Sequence, residues 1–444
     1  MLQYISMILF LAFGLIPIHL YGQKPLSIII MGYGGRAQWL LMKCIEHKND
    51  IVVAAICDDH AKQCLEHVRQ ECKEVYRPLK NIYDIATAHT ELYPDTPEGL
   101  QAMLQKYKDV DLIWVTSRND RHFDHLTNAL KYSPCKKIFM EKPLFRTLGE
   151  WQSFDINLAN DKEVLIGLTL RYSSMAMIVV QELQSRKTQL GALRSVKAWE
   201  KLGFAHALTA FVLGSRHDRN LWGGLLLEKS IHDLDLALFF ITSFGFSPSR
   251  IVLNTVVDNQ FFTRSNLEQI LNYCENDRAL KKKVLAVLGN YPLTGQFMGS
   301  HLIPDNHKLS AHLFAEGAES VLLEVETDMS VYRSVMERGT FMTFENGTVL
   351  VDVMASCMTI CLNDGTTFMR ELNTLYGGHA DGDMYVVRAI LQDKREASHY
   401  RSTILDPVVQ LATIMALVSE EQALDQKGAE DLYRINGEWI RGSL

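Results

Sequence analysis

One stretch constrains the fold of this chain more than any other: Ser27-Ile28-Ile29-Ile30-Met31-Gly32-Tyr33-Gly34-Gly35-Arg36-Ala37. An apolar run leads straight into glycines at a G-x-G-x-x-A spacing, and Gln38 to Ile45 then reads as a helix with no Gly or Pro to break it. Strand, glycine turn and helix in this order form the context of a dinucleotide fingerprint. Gly32 permits the tight turn, Gly34 lets the backbone approach a pyrophosphate, and small Ala37 lets helix and strand pack closely. Gly35 and Arg36 lie at the helix N-terminus, whose free N–H groups suit a pyrophosphate. The plain alternative is an ordinary glycine-containing strand-to-helix turn.

The next segments extend this reading. Ile51 to Ile56 is a second buried strand, and Asp58 follows it, about 20 residues beyond the glycines. A carboxylate there accepts hydrogen bonds from ribose hydroxyls and repels a 2′-phosphate, which favours NAD over NADP. Arg36 argues the other way, since a guanidinium in the turn can accommodate that phosphate, so NADP stays open. The alternative for Asp58 is a turn residue or helix N-cap. Val110 to Thr116 is a further buried strand that runs into polar Ser117 to His122, and Lys137 to Met140 is a short strand ending in Glu141-Lys142-Pro143. Alternating strands and helices imply a parallel, doubly wound sheet with its strand C-termini on one edge. Thr116, Asn119, His122, Glu141 and Lys142 would gather there. Pro143 holds Lys142 in an extended backbone.

A chain of 444 residues accommodates about two domains. The net charge of −7, with no basic block, argues against a nucleic-acid partner. Eight cysteines without C-x-x-C spacing read as buried free thiols, and no metal site is expected. Met7 to Leu20 is apolar and of signal-peptide length. Three readings of residues 1–22 remain: a cleaved signal in an exported protein, an uncleaved anchor, or an upstream start on a cytoplasmic one. No other membrane partner is expected. Beyond Pro143 the pattern changes. Leu148–Asn160 reads as a helix, and later alternating segments with turns at Asn346-Gly347 and Asp364-Gly365 read as antiparallel hairpins. Asp383–Leu391 and Val408–Gln426 read as helices, and residues 258–307 as a polar insertion.

Taken together, the fingerprint, Asp58, Asn119-x-x-His122 and Glu141-Lys142-Pro143 resemble the Gfo/Idh/MocA oxidoreductase family. Gly223-Gly224-Leu225-Leu226-Leu227-Glu228-Lys229-Ser230-Ile231-His232-Asp233-Leu234-Asp235 resembles its second hallmark, and Arg171-Tyr172 and Gly377 to Asp383 are further matches. The resemblance implies an α/β protein with a Rossmann domain over residues 23–145. It also implies a C-terminal α+β domain over 146–444, built on a large, mostly antiparallel open sheet. That sheet often serves oligomer contacts, so a homo-oligomer is expected.

The resemblance also implies a Lys142 and His232 pairing that moves a proton and hydride between a hydroxyl and NAD(P). His232, with an unperturbed pKa of ~6.5, suits general acid–base work. Lys142 would hydrogen-bond the substrate oxygen and steady a developing alkoxide. At i and i+4 on a helix, Glu228 and His232 share one face. Glu228 stands where the family more often has Asp, which leaves its detailed role open. Arg171 and Tyr172 are candidates to line a polyhydroxylated substrate. Each residue has a structural alternative: a surface lysine for Lys142, a core histidine for His232, a salt bridge or cap for Glu228. The expected activity is NAD(P)-dependent oxidation of a sugar, polyol or related compound. Two alternatives stand beside it: NAD-dependent glycoside hydrolysis through transient oxidation and elimination, and a non-catalytic nucleotide sensor.

Overall fold

A computed structural model describes residues 25–48, 50–70, 79–203, 218–258, 306–329, 336–372, 379–391, 401–425, 428–435 and 438–442, with isolated positions such as Arg216. Residues 1–22, Gly377, Gly378 and most of the 258–307 segment lie outside the described residues.

The first sheet has six parallel strands: β1 (Leu26–Met31), β2 (Ile51–Cys57), β3 (Glu91–Tyr93), β4 (Leu112–Val115), β5 (Lys137–Met140) and β6 (Glu163–Ile166), in spatial order β3-β2-β1-β4-β5-β6. Its central strands are continuous apolar runs because both faces are covered. Ile28 and Ile30 pack with Leu40, Leu41 and Ile45 on one side, while Ile29 and Met31 pack with Met103, Leu104 and Leu126 on the other. The strand order reverses between β1 and β4, the position at which such sheets bind ligands.

The second sheet has ten strands: β7 (Leu193–Lys201), β8 (Arg250–Asp258), β9 (Asn306–Phe314), β10 (Val321–Asp328), β11 (Glu337–Phe344), β12 (Gly347–Asp352), β13 (Cys357–Leu362), β14 (Thr367–Glu371), β15 (Glu430–Ile435) and β16 (Glu438–Gly442). Their order is β14-β13-β12-β11-β7-β10-β9-β8-β15-β16, and only β7 and β10 pair in parallel. The helices Ile231–Ser243 and Pro407–Asp425 pack against this sheet. No helix among the described residues is long and apolar enough to cross a membrane.

Several expectations are corrected. β6 pairs with β5, so the first sheet continues past the boundary expected at residue 145. The expected helix Leu148–Asn160 is two pieces, Leu148–Ser153 and a 3₁₀ turn Ile156–Ala159. Asp155 separates them, accepting the Asn157 N–H and starting a new turn, as a short acidic side chain does. The late helix runs His379–Leu391, beginning before Asp383. It returns to the first domain, where it packs on the Gly35–His47 helix and Val386, Val387 and Ile390 join the core on that side of the sheet. Among the described cysteines all are free; Cys44, Cys57 and Cys135 are buried, but Cys361 is exposed.

Candidate active site

The first residue after each of five parallel strands faces one cleft: Gly32, Asp58, Thr116, Glu141 and Gly167. The cleft has a volume of about 630 Å³ and continues to Lys142, Glu200, Arg216, Glu228, Lys229 and His232.

The glycine turn is built as the spacing requires. Gly32 has φ +84°, and a Cβ there would lie 2.2 Å from the Ser117 Cα, so no other residue fits. A Cβ on Gly34 or Gly35 would meet nothing within 4 Å, which leaves the backbone of this helix start open to the cleft. Thr116 braces the turn by donating from Oγ1 to the Gly32 carbonyl at 2.7 Å. Ala37 is fully buried in the helix–sheet contact. Asp58 accepts the Tyr33 N–H at 2.7 Å and the His60 N–H at 2.6 Å, which fixes its carboxylate at the end of β2. Open backbone N–H groups at a helix N-terminus, beside a fixed carboxylate at the end of the neighbouring strand β2, fit a dinucleotide.

Arg36 is turned to other partners than a phosphate. Its Nε donates to Glu141 at 2.6 Å, and Nη1 and Nη2 donate to the two Asp383 oxygens at 2.9 and 2.7 Å. Burial works against this guanidinium, but Glu141 and Asp383 outweigh it and hold the charge firmly. All three nitrogens are thus engaged by carboxylates, which weighs against Arg36 as the partner of a 2′-phosphate.

The Lys142–Pro143 peptide is cis. Lys142 Nζ donates to the Glu228 carbonyl at 2.6 Å and to Glu228 Oε2 at 3.2 Å. Glu228 also pairs with Arg216 at 3.0 Å, and Asn119 Nδ2 donates to its Oε2 at 3.4 Å and to the Trp222 carbonyl at 2.9 Å. Burial resists ionisation of Glu228, but the charges of Lys142, Arg216 and Lys229 outweigh it and hold the carboxyl below its usual range.

Glu228 and His232 do not share one α-helix as the spacing suggested. Glu228 lies in a π-helical turn, Leu226–Ser230, and His232 in the first turn of the helix that follows. The π turn has more residues per turn than an α-helix, yet both side chains still reach the cleft. Glu420 sets this entry: its Oε1 accepts the Leu226 N–H at 2.7 Å, and a Cβ on Gly224 (φ +153°) would strike its carboxylate.

Three expected site residues are elsewhere. Arg171 is 1 % exposed and pairs with Asp235 and Asp406, so its charge is spent inside the fold. Burial pushes the Asp235 carboxyl up to about 6 against the pull of Arg171. Tyr172 is equally buried and donates to the Ser402 carbonyl at 3.0 Å. Neither lines the cleft; both are held by segments further along the chain. His122 lies beneath it, Nδ1 2.6 Å from the Pro143 carbonyl and Nε2 3.0 Å from the Ser117 carbonyl; burial lowers its pKa to about 4, so the neutral ring donates to one of the two. Its role is to position the turns that carry Ser117 and Lys142.

Glu200 and Lys229 are cleft residues that the motif reading passed over. A signal for Glu200 existed: two-residue periodicity places it on the buried face of β7 with Val196 and Ala198. Burial pushes the Lys229 ammonium down to about 8, against the pull of Glu200 and Glu228.

Residues 26–169 match the family model described as the oxidoreductase family, NAD-binding Rossmann fold, Gfo/Idh/MocA. The chain carries the NAD-binding domain of the Gfo/Idh/MocA oxidoreductase family. A search of curated proteins gives no match. Among solved structures, a levoglucosan dehydrogenase in complex with NADH and levoglucosan is 13% identical, with a TM-score of 0.60, covering 94% of this chain and 99% of that one. An apo scyllo-inositol dehydrogenase from Lactobacillus casei is 16% identical, with a TM-score of 0.57, covering 92% and 98%. A super-repressor mutant of Gal80p from Saccharomyces cerevisiae is 13% identical, with a TM-score of 0.58, covering 91% and 97%. At these identities the likeness is one of fold, and it spans both domains. The matched region is an NAD-binding Rossmann domain of an oxidoreductase family, and the chain is accordingly an NAD(P)-dependent oxidoreductase.

Proposed function

We propose that this protein oxidises a secondary hydroxyl of a sugar or polyol with NAD. One observation carries the reading: Lys142, Glu228 and His232 line the same cleft as the glycine turn and Asp58. When bound, the nicotinamide supplies the hydride acceptor. The chain's own residues handle the proton. His232, in the first turn of its helix and 6 % exposed, takes the hydroxyl proton as general base. An ammonium has three donors. Two from Lys142 go to Glu228, which leaves one for the substrate oxygen as negative charge develops there. Glu228, doubly paired with Lys142 and Arg216, acts as the positioning residue for that ammonium. Two structural relatives, the levoglucosan dehydrogenase and the scyllo-inositol dehydrogenase, act on polyhydroxylated compounds by their names, which supports the substrate class. No observation favours hydrolysis or a sensor role.

The test is direct. Purified protein is incubated with NAD and a panel of sugars and polyols, and reduced nicotinamide is followed by absorbance, with aryl glycosides run in parallel. NAD reduction with at least one polyol, lost in Lys142→Met, is the expected result. Aglycone release without net reduction, or no reduction with any compound by a protein that binds NADH, refutes it.

A further inference from the structure

Arg216 brings a second cation to the carboxylate that holds Lys142. It lines the cleft, and its side chain is 38 % exposed. Its Nη1 pairs with Glu228 Oε1 at 3.0 Å, while Lys142 Nζ takes Oε2 of the same carboxylate at 3.2 Å. The two cations therefore sit within reach of one small molecule. The guanidinium lies 5.5 Å from the centre of the Trp222 ring, a contact that favours one orientation of its plane. Glu228 occupies the Nη1 corner and is the ion-pair partner of Arg216 among the described residues. The opposite edge, Nε with Nη2, is the one that grips a carboxylate through two parallel bonds. The chain shows this grip elsewhere: Arg338 donates from Nε and Nη2 to both oxygens of Asp233 at 2.8 and 2.6 Å. Charge points the same way. At this end of the cleft three cations, Lys142, Arg216 and Lys229, face two carboxylates, Glu228 and Glu200, a surplus of one positive charge. The other cleft cations are matched, Arg36 by Glu141 and Asp383, and Arg118 by Asp120. A charge held away from bulk water calls for a partner.

Building on the function proposed above, we propose that the substrate is a polyol that carries a carboxylate, and that Arg216 binds this group through its Nε–Nη2 edge while Lys142 meets the hydroxyl to be oxidised. A surplus of one charge matches a carboxylate and not a phosphate dianion. Glu228 keeps its pair with Arg216 Nη1, so binding the acid does not release Lys142. A neutral polyol of the same shape leaves the Arg216 edge to water and forgoes two charge-assisted bonds.

The test reads binding rather than turnover. The full chain, loaded with NADH, is titrated calorimetrically with D-glucose, D-gluconate, D-glucuronate and D-glucose 6-phosphate. Wild type, Arg216→Ala and Arg216→Gln are compared, with thermal melting as the check on folding. The expected result is that wild type binds D-gluconate or D-glucuronate at least ~10-fold more tightly than D-glucose. Arg216→Ala brings that acid and D-glucose within about twofold of each other. The inference is overturned if neither acid binds more tightly than D-glucose in wild type, if D-glucose 6-phosphate alone does, or if Arg216→Ala keeps the wild-type preference. Should Arg216→Ala fail to fold, Arg216→Gln, which also removes the charge, decides: an unchanged preference overturns the inference, and a reduced one supports it. An acid that binds with this preference but is not oxidised counts against the proposed oxidation and not against Arg216. Oxidation of neutral polyols with no preference for an acid leaves the oxidation standing and overturns the carboxylate.

Discussion

The pairing of Arg36 with Asp383 joins the glycine turn to a helix 347 residues further along the chain, and its strength can be worked out. Asp383→Ala removes three hydrogen bonds: two from Arg36 and one from Trp39 Nε1 at 3.1 Å. Bonds to a charged group are worth ~1.5–3 kcal/mol each. The full sum overstates the loss, because the Arg36 side chain is 32% exposed and keeps Glu141. Solvent screening brings the expectation to about 2–4 kcal/mol. The late helix stays docked nonetheless. Val386, Val387 and Ile390 are buried against the first domain, and each is worth ~1.5–3 kcal/mol, which together exceeds the polar loss. The change is therefore a shift of the melting midpoint and not a new transition. An unfolding entropy of ~2.1 cal/mol/K per residue over this length converts the loss to a fall of about 2–4 °C. Differential scanning calorimetry measures it, with Asp383→Asn as a milder control. A midpoint within about 1 °C of wild type would refute the reasoning, as would a separate low-temperature transition.

Three further outcomes follow from the site. His232→Ala should lower turnover at least ~100-fold with NADH affinity unchanged, measured by steady-state kinetics and cofactor fluorescence. Asp58→Ala should weaken NAD about tenfold, the loss of one charge-assisted hydrogen bond, and NADP less; equal loss of both would remove the ribose role. Asp235→Ala strands Arg171 on Asp406 alone and should cost ~3–5 kcal/mol in a denaturant titration. The KM of the remaining folded protein should be unchanged, because neither residue lines the cleft.

What the sequence made legible was what short-range patterns encode. Buried parallel strands are apolar runs, and the residue after each run sits on the ligand edge, so Gly32, Asp58, Thr116 and Glu141 were readable one strand at a time. Long-range pairing was not readable. Nothing local distinguishes an Arg171 that lines a substrate from one that closes on Asp235, 64 residues away. The same holds for Arg36, whose partners Glu141 and Asp383 come from distant segments. A four-residue spacing gave the right neighbours in Glu228 and His232 but the wrong helix type, because the π turn is set by Gly224 and Glu420 from another part of the chain. Glu200 was missed for a different reason: the search for motifs passed over a strand whose alternation already placed an acid inward.

The return of the late helix to the first domain carries a consequence for how this chain can be cut. The parallel sheet ends at Ile166, and the matched cofactor region ends at residue 169, which suggests a convenient fragment. Such a fragment would lack Val386, Val387 and Ile390 and would bare the apolar surface they cover on the Gly35–His47 side of the sheet. It would also leave Arg36 without Asp383, and Lys137 Nζ without the Ala389 carbonyl it reaches at 2.6 Å. The nucleotide half is thus not a detachable cassette. Its last structural part is synthesised more than two hundred residues after its sheet is complete, so the cofactor half finishes packing only when nearly the whole chain is made.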